Sequence, residues 1–430
     1  MPLWLIPMAY VAGAVCFGFL FPRLENEYLT RYFAFVSDWD IGNFSVASAQ
    51  ALLGSVASGM MALTAIIFTV AYITAQFNTV AYSPRVALLF VQNPTLFHSF
   101  GLFSATFIFS LYTLAWVDRE NSHVVPQFSM TIVAALLIAS MFSFARLVRG
   151  VSDLQITNTL QVIGDRGRTV LRETFERLQD GEASPPALND ELDDKPVTQV
   201  LRYTGAPRTI ANFNVPVLVR IAQEFNALVE LDCAVGDTVV YDTQLLRVRG
   251  AIRPLPEKLL LGAIALKRAR TFEQDPKYAI RLLVDIAIKA LSPTINDPTT
   301  AVQVIDQLED MLRRLGRRAL DDVRATDRDG IVRLTYPTPN WEDFLRLSFD
   351  EIRQYGASSV QVMRRLRSAL AGVAESIEDK SRIAAIERYV QQLDLVISRS
   401  PFDAEDRAFA SQQDRQGMGV SRRRQLTKTA

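Results

Sequence analysis

The 430-residue sequence predicts an α-helical membrane domain of four transmembrane helices, followed by a cytoplasmic α+β domain that carries a small β module. Three observations predict it. Charge is missing from Met1 to Pro22, Ile41 to Pro84, Val86 to Val117 and Asn121 to Ala145. Residues 1–145 hold four arginines, no lysine and six acidic residues, whereas the rest of the chain holds 42 basic and 40 acidic side chains. Beyond residue 200, short β-rich runs with turn residues alternate with segments of helical periodicity. The expected division is a four-helix transmembrane domain at 1–150, a connecting helix and linker at 151–200, the α+β domain at 201–400 and a disordered tail at 401–430.

Composition excludes several classes. Apolar residues make up 49% of the chain and charged residues 21%, which rules out a disordered chain, a collagen and a disulfide miniprotein. Cys16 and Cys233 are too few for a disulfide framework. With His98 and His123 the only histidines, a Cys/His zinc site is not expected. A formal net charge of zero gives no reason to expect nucleic acid.

A spanning helix needs about 20 apolar residues, and the chargeless stretches provide spans near 3–21, 49–74, 98–117 and 127–147. The first lacks the basic flank and small-residue cleavage site of a secretory signal. Arg146, Arg149, Arg166 and Arg168 crowd the end of the fourth span, which places that end in the cytoplasm. Counting back puts both termini inside, with loops 22–48 and 118–126 outside. The inner loop Gln76–Pro94 reads as an interfacial segment around Ser83-Pro84-Arg85.

The second span carries the candidate pore or helix-packing residues. Gly54, Ser58 and Ala62 recur every four residues, as do Ala47, Ala51, Ser55 and Gly59. Small residues at this spacing let helix backbones approach in lipid. They fit packing inside the bundle, or a face between subunits or along a pore, where Ser55, Ser58, Thr64, Thr69 and Thr74 supply hydroxyls. Short of Arg146 at the end of the fourth span, no Asp, Glu, Lys or Arg lies inside a span, which argues against a proton-coupled pump and leaves a passive pore or an anchor.

Past the membrane, a helix over 152–180 precedes a Pro/Asp/Glu-rich linker at 181–196. Asn214 caps a helix to Phe225. The runs from Ala227 to Arg249 read as a small meander, similar in spacing to half of a lipoyl-type barrel-sandwich. No lysine lies between Lys195 and Lys258 to carry a covalent cofactor. Asp275-Pro276 and Asp297-Pro298 each place a capping Asp before a first-turn proline, opening helices at 276–291 and 298–315. Arg281 and Asp285 lie one turn apart and pair. With Asn296, Asp297, Arg353, Gln354 and Tyr355 they form a candidate polar corner, either a buried hydrogen-bonded turn or a ligand or subunit contact. A hairpin turns at Asp327–Gly330, Asn340 and Asp343 form a capping box, and Gly356 stands at C′ of that helix. Helices at 358–376 and 379–399 form an antiparallel pair. From Asp403 the chain is polar and ends near Arg422-Arg423-Arg424.

The soluble part has no histidine, no Gly-Lys-Ser/Thr phosphate loop, no dinucleotide glycine motif and no Gly-x-Ser-x-Gly elbow. No catalytic residue, metal or cofactor is expected, and an enzyme is not the reading. The expected partners are the bilayer, further copies of the chain, and a small ion or solute.

These residues carry a resemblance. Ala75-Gln76-Phe77 and Ser83-Pro84-Arg85 follow the second span, and Val125-Pro126-Gln127 precedes the fourth. Glu273-Gln274-Asp275-Pro276, Leu282–Ala287, Ser292-Pro293, Ile295–Thr299 and Ile352–Ser358 follow in order. With these motifs the chain resembles the uncharacterised bacterial predicted membrane protein family, domain of unknown function twenty-two fifty-four, over about residues 5–395. Two details depart from the family pattern: Asn78–Tyr82 split a motif that is usually compact, and Asp242 stands where a second turn glycine is common. The resemblance implies four spans and a cytoplasmic C-terminal region, and no established activity; the expected location is the bacterial inner membrane.

Overall fold

A computed structural model of the chain describes residues 4–25, 44–81, 94–119, 125–152, 156–178, 195–272 and 274–419. The chain divides into two compact units, Met1–Gln155 and Ile156–Ala430.

The first unit contains α1 (Leu5–Leu24), α2 (Val46–Ala81), α3 (Pro94–Trp116) and α4 (Gln127–Ser152). Each is long and apolar enough to cross a membrane. The expected interfacial segment is helical as far as Ala81, and its remainder at 82–93 lies outside the described residues. Helix α3 packs against α1, α2 and α4, and it is the least apolar and most buried of the four. A helix covered by protein on several sides has less need of large lipid-facing side chains, so its sequence tolerates Ser and Thr.

Close approach occurs between α1 and α3. A Cβ at Gly101 would lie 2.7 Å from the Tyr10 ring, and one at Gly18 would lie 3.0 Å from Cβ of Tyr112. The two Gly–Tyr pairs occur in the same order along both helices, so the helices run parallel, each glycine seating the other helix's tyrosine.

The second unit begins with α5 (Ile156–Thr174), shorter than the expected 152–180 helix. Residues 179–194, where the linker was expected, lie outside the described residues. A β module follows, built on β1 (Val197–Arg202), β2 (Arg208–Phe213), α6 (Val215–Glu224), β3 (Leu228–Leu231), β4 (Thr238–Val239), β5 (Gln244–Arg249), α7 (Glu257–Gly262) and β6 (Ile264–Lys267). As expected, Asn214 caps α6, accepting from the Val217 N–H at 3.3 Å.

The meander reading needs correction. β3 and β5 pair antiparallel, but β4 leaves them and pairs with β2 in a second, three-stranded sheet ordered β4-β2-β6. The departure is set at Gly236 (φ 89°), whose N–H donates to the Ile210 carbonyl at 2.8 Å. Only glycine adopts this φ without strain. The first sheet is ordered β1-β5-β3-β8-β7, where β7 (Val323–Thr326) and β8 (Val332–Tyr336) are the expected hairpin. β8 joins β3 in parallel register, Val229 against Leu334. Leu201, Phe213, Leu218, Val239, Leu246 and Leu334 fill one shared core.

The helical part contains α8 (Tyr278–Ala290), α9 (Pro298–Leu315), α10 (Trp341–Tyr355), α11 (Val360–Ala374) and α12 (Lys380–Arg399). Helix α8 touches α5, α9 and α10, and nine of its residues are buried. The Asp297-Pro298 start is as expected: Asp297 accepts from the Thr300 N–H at 3.1 Å and from its hydroxyl at 2.5 Å. Asp275 does not cap in that way. Helix α8 starts at Tyr278, while the Asp275 carboxylate is 2% exposed, meets Arg270 at 3.1 Å and accepts from the Lys277 N–H at 3.0 Å. Burial pushes its pKa up, against the opposing pull of Arg270.

The Asn340–Asp343 capping box is complete. Gly356 ends α10 at φ −88°, so handedness does not require glycine there. Space does: a Cβ would lie 2.6 Å from Val362 Cγ1.

The expected disordered tail is also corrected. Asp403 accepts from the Asp406 N–H at 2.8 Å and opens α13 (Ala404–Ala410). Buried Asp414 then gathers the N–H groups of Gln416, Gly417 and Gly419. Fully buried Arg364 of α11 lies 3.9 Å from the Phe409 ring centroid and 3.9 Å from Asp414. This charged and aromatic match holds a polar segment that hydrophobic periodicity does not reveal. Residues 420–430 lie outside the described ones.

Candidate functional site

In the membrane unit the candidate residues of α2 face away from the bundle. Helix α2 buries Ala49, Leu53, Val56, Ala57, Met60 and Ile67. Ser55, Ser58, Gly59, Ala62 and Thr69 are exposed, as are Ala47 and Ala51, and Gly54 is half-buried. A Cβ added at Gly54 or Gly59 would meet nothing within 4 Å. The packing-inside-the-bundle reading of this stripe is therefore corrected. Leu53, Met60 and Ile67 on the buried face gain dispersion contact inside the bundle, while Leu52, Met61, Ile66 and Phe68 are exposed beside the small residues. The hydroxyls fold back on their own helix: Ser55 donates to Ala51 O (2.7 Å), Ser58 to Gly54 O (2.6 Å), Thr64 to Met60 O (2.8 Å) and Thr69 to Ala65 O (2.9 Å). They offer acceptor lone pairs outward. The Thr74 side chain lies outside the described ones.

The buried hydroxyls sit elsewhere. Ser99, Thr106, Ser110 and Thr113 form one face of α3 and are fully buried. Across on α4, Ser143 lies 2.8 Å from Ser99 and Ser140 lies 3.1 Å from Thr106. The row continues to Ser129, fully buried near the start of α4. There Glu25, 3% exposed, accepts from the N–H groups of Phe128 (2.7 Å) and Ser129 (2.9 Å) and from the Ser129 hydroxyl (2.6 Å). A carboxylate thus caps the N-terminus of α4 from 103 residues away in sequence. The α3 row was visible as a heptad-like spacing of hydroxyls. Glu25 carried no local signal.

In the second unit the structure splits the polar corner. Arg281 and Asp285 meet on α8, with Arg281 Nε 2.7 Å from Asp285 Oδ1. Glu351 of α10, which sequence reasoning missed, takes both Nη groups of Arg281 at 2.6 and 2.7 Å. These hydrogen bonds hold Arg281 above its ordinary pKa, Glu351 contributing most, and they hold Glu351 below the usual carboxylate range. The guanidinium is used up in tying α8 to α10. Asn296 takes a left-handed turn (φ 48°) just before the Asp297 cap. Arg353 pairs with Asp350 at 3.3 Å, while Gln354 and Tyr355 are exposed. No hydrogen bond joins Asn296 or Asp297 to 353–355 among the described residues.

Two concavities of this unit are lined by described residues. A cleft of about 650 Å³ is walled by Val215, Val235, Gln274, Pro276, Tyr336 and Pro337, with the Arg177–Asp321 ion pair (3.0 Å) on its rim. A groove of about 340 Å³ runs between α5 and the end of α9.

A helical membrane unit of four spans joined to a mixed helix-and-sheet unit is the class of protein these features define. The chain belongs to the predicted membrane protein family DUF2254, whose model matches residues 1–372. Uncharacterised proteins of Mycobacterium bovis and Mycobacterium tuberculosis are each 28% identical over 381 residues, which is 84% of this chain and 70% of theirs. No solved structure matches the chain.

Proposed function

We propose that the chain is a multi-pass protein of the bacterial inner membrane, with both termini in the cytoplasm, that acts as a homo-oligomeric channel-like or gating protein regulated by its second unit. The observation that carries this reading is the outward small-residue face of α2. In a homo-oligomer that face packs against another copy, where glycine and serine allow backbone approach and the outward hydroxyl lone pairs meet a small ion or solute. Arg146 and Arg149 at the end of α4 support the orientation. No catalytic step is assigned.

The test combines trapping and flux. With Cys16 replaced by serine, Ser58→Cys forms a covalent dimer in membranes, whereas Phe68→Cys, on an exposed site, does not. Purified proteoliposomes then pass an ion or solute under voltage, tension or osmotic step. Equal trapping at both positions, or no flux under any of the three, refutes the proposal. The 650 Å³ cleft favours a second reading, a membrane-anchored binding or scaffold module without transport. It predicts no flux in the same assay.

A further inference from the structure

The groove between α5 and the end of α9 is walled by Arg168, Arg172, Arg314 and Arg318, with Asp165 as its one acidic wall residue and Leu171 and Leu315 buried in it. The whole chain has no net charge, so this is a local concentration of cation. Three of the arginines are held in place by internal partners. Arg168 meets Asp165 at 2.8 Å, Asp310 at 2.9 Å and Gln307 at 3.1 Å. Arg314 Nε donates to Asp310 at 3.0 Å, and Arg318 Nη1 donates to the Phe175 and Glu176 carbonyls at 2.5 and 3.1 Å. Arg172 is exposed and has no hydrogen bond or ion pair among the described residues.

Counting Asp165 and Asp310 against the four guanidinium groups leaves a surplus of two positive charges. Glu173 and Glu176 line the other cleft. A phosphate monoester carries about −1.5 to −2 at neutral pH, and planar guanidinium groups match phosphoryl oxygens in pairs. Because three arginines are already ordered, a ligand loses little freedom in fixing them. The volume of about 340 Å³ exceeds that of a bare anion and suits a phosphorylated head or small molecule.

We infer that this groove binds a phosphoryl group, brought either by a soluble phosphate compound or by a phospholipid headgroup. The inference stands apart from whether the chain conducts. It is tested on the full chain in phosphate-free buffer. One arm titrates pyrophosphate calorimetrically in neutral detergent. The other measures amide hydrogen exchange over residues 165–172 in nanodiscs of phosphatidylcholine with and without phosphatidic acid. Arg172→Glu serves as the test variant and Arg172→Gln as the milder one. Arg388→Glu gives the same charge change at an exposed site elsewhere.

Saturable pyrophosphate binding, weakened about tenfold by Arg172→Glu, less by Arg172→Gln and not by Arg388→Glu, establishes the site with a soluble ligand. Protection by phosphatidic acid that is lost in Arg172→Glu, without pyrophosphate binding, establishes it with a lipid headgroup. Absence of both responses, or equal weakening by Arg388→Glu, overturns the inference, because unspecific charge attraction explains the latter.

Discussion

Replacing Glu25 by glutamine tests whether α4 is held at its start by a residue of α1's end. The native carboxylate accepts three hydrogen bonds in a site that is 3% exposed. Glutamine keeps the length but swaps one acceptor oxygen for an amino group that faces donors. Hydrogen bonds to charged groups contribute roughly 1.5–3 kcal/mol each, and a buried donor left unpaired costs roughly 1–3 kcal/mol. An anion at a helix N-terminus adds up to about 2 kcal/mol where it is shielded from water. These terms overlap, so the expected loss is about 2–4 kcal/mol. Glu25→Asp falls between, its carboxylate being one methylene too short to reach both N–H groups. Denaturant unfolding of the purified protein in mild detergent measures the loss, and amide exchange at Phe128 and Ser129 localises it. A change below about 0.5 kcal/mol with unaltered exchange at those two amides would refute the capping account.

Two further outcomes follow from the second unit. Glu351 is held below its ordinary value of 4.5 by Arg281, with burial opposing. Its stabilisation is therefore present above pH 4.5 and lost as pH falls through the lower folded value, so acid unfolding curves of the wild type should be steeper in that window than those of Glu351→Gln; parallel curves would count against the tie. Phe409→Ala removes the ring over fully buried Arg364, a desolvated cation–π contact of about 2 kcal/mol. Limited proteolysis should then cut within 403–419 faster than in the wild type, and an unchanged cleavage rate would sink the idea that this contact straps the C-terminal segment down.

Asp275 and Asp297 show where sequence reading stops. Both precede proline and both carry the same local signal for a helix start. Asp297 obeys it, because its carboxylate reaches the Thr300 N–H at 3.1 Å. Asp275 is drawn instead to Arg270, close under Gly236 of the β module. A cap reads only three or four neighbours on its own helix, and a competing charge five residues upstream lies outside that range.

Features that depend on near neighbours in the chain or on the solvent are legible in the residues. The four spans follow from stretches too apolar and too long for water. The caps at Asn214, Asp297 and Asn340 follow from a side chain that reaches its own helix, and the hairpin at 327–330 from turn residues between β-rich runs. Which face of each element is covered emerges only once the chain is folded. Folding turned the small side of α2 outward and gave the close helix contact to Gly18 and Gly101. It carried β4 into a second sheet, set Glu25 on α4 and folded the segment after Asp403 over Arg364. These choices pair residues far apart in the chain, and their free energy comes from matched shape and charge that no single stretch of sequence contains.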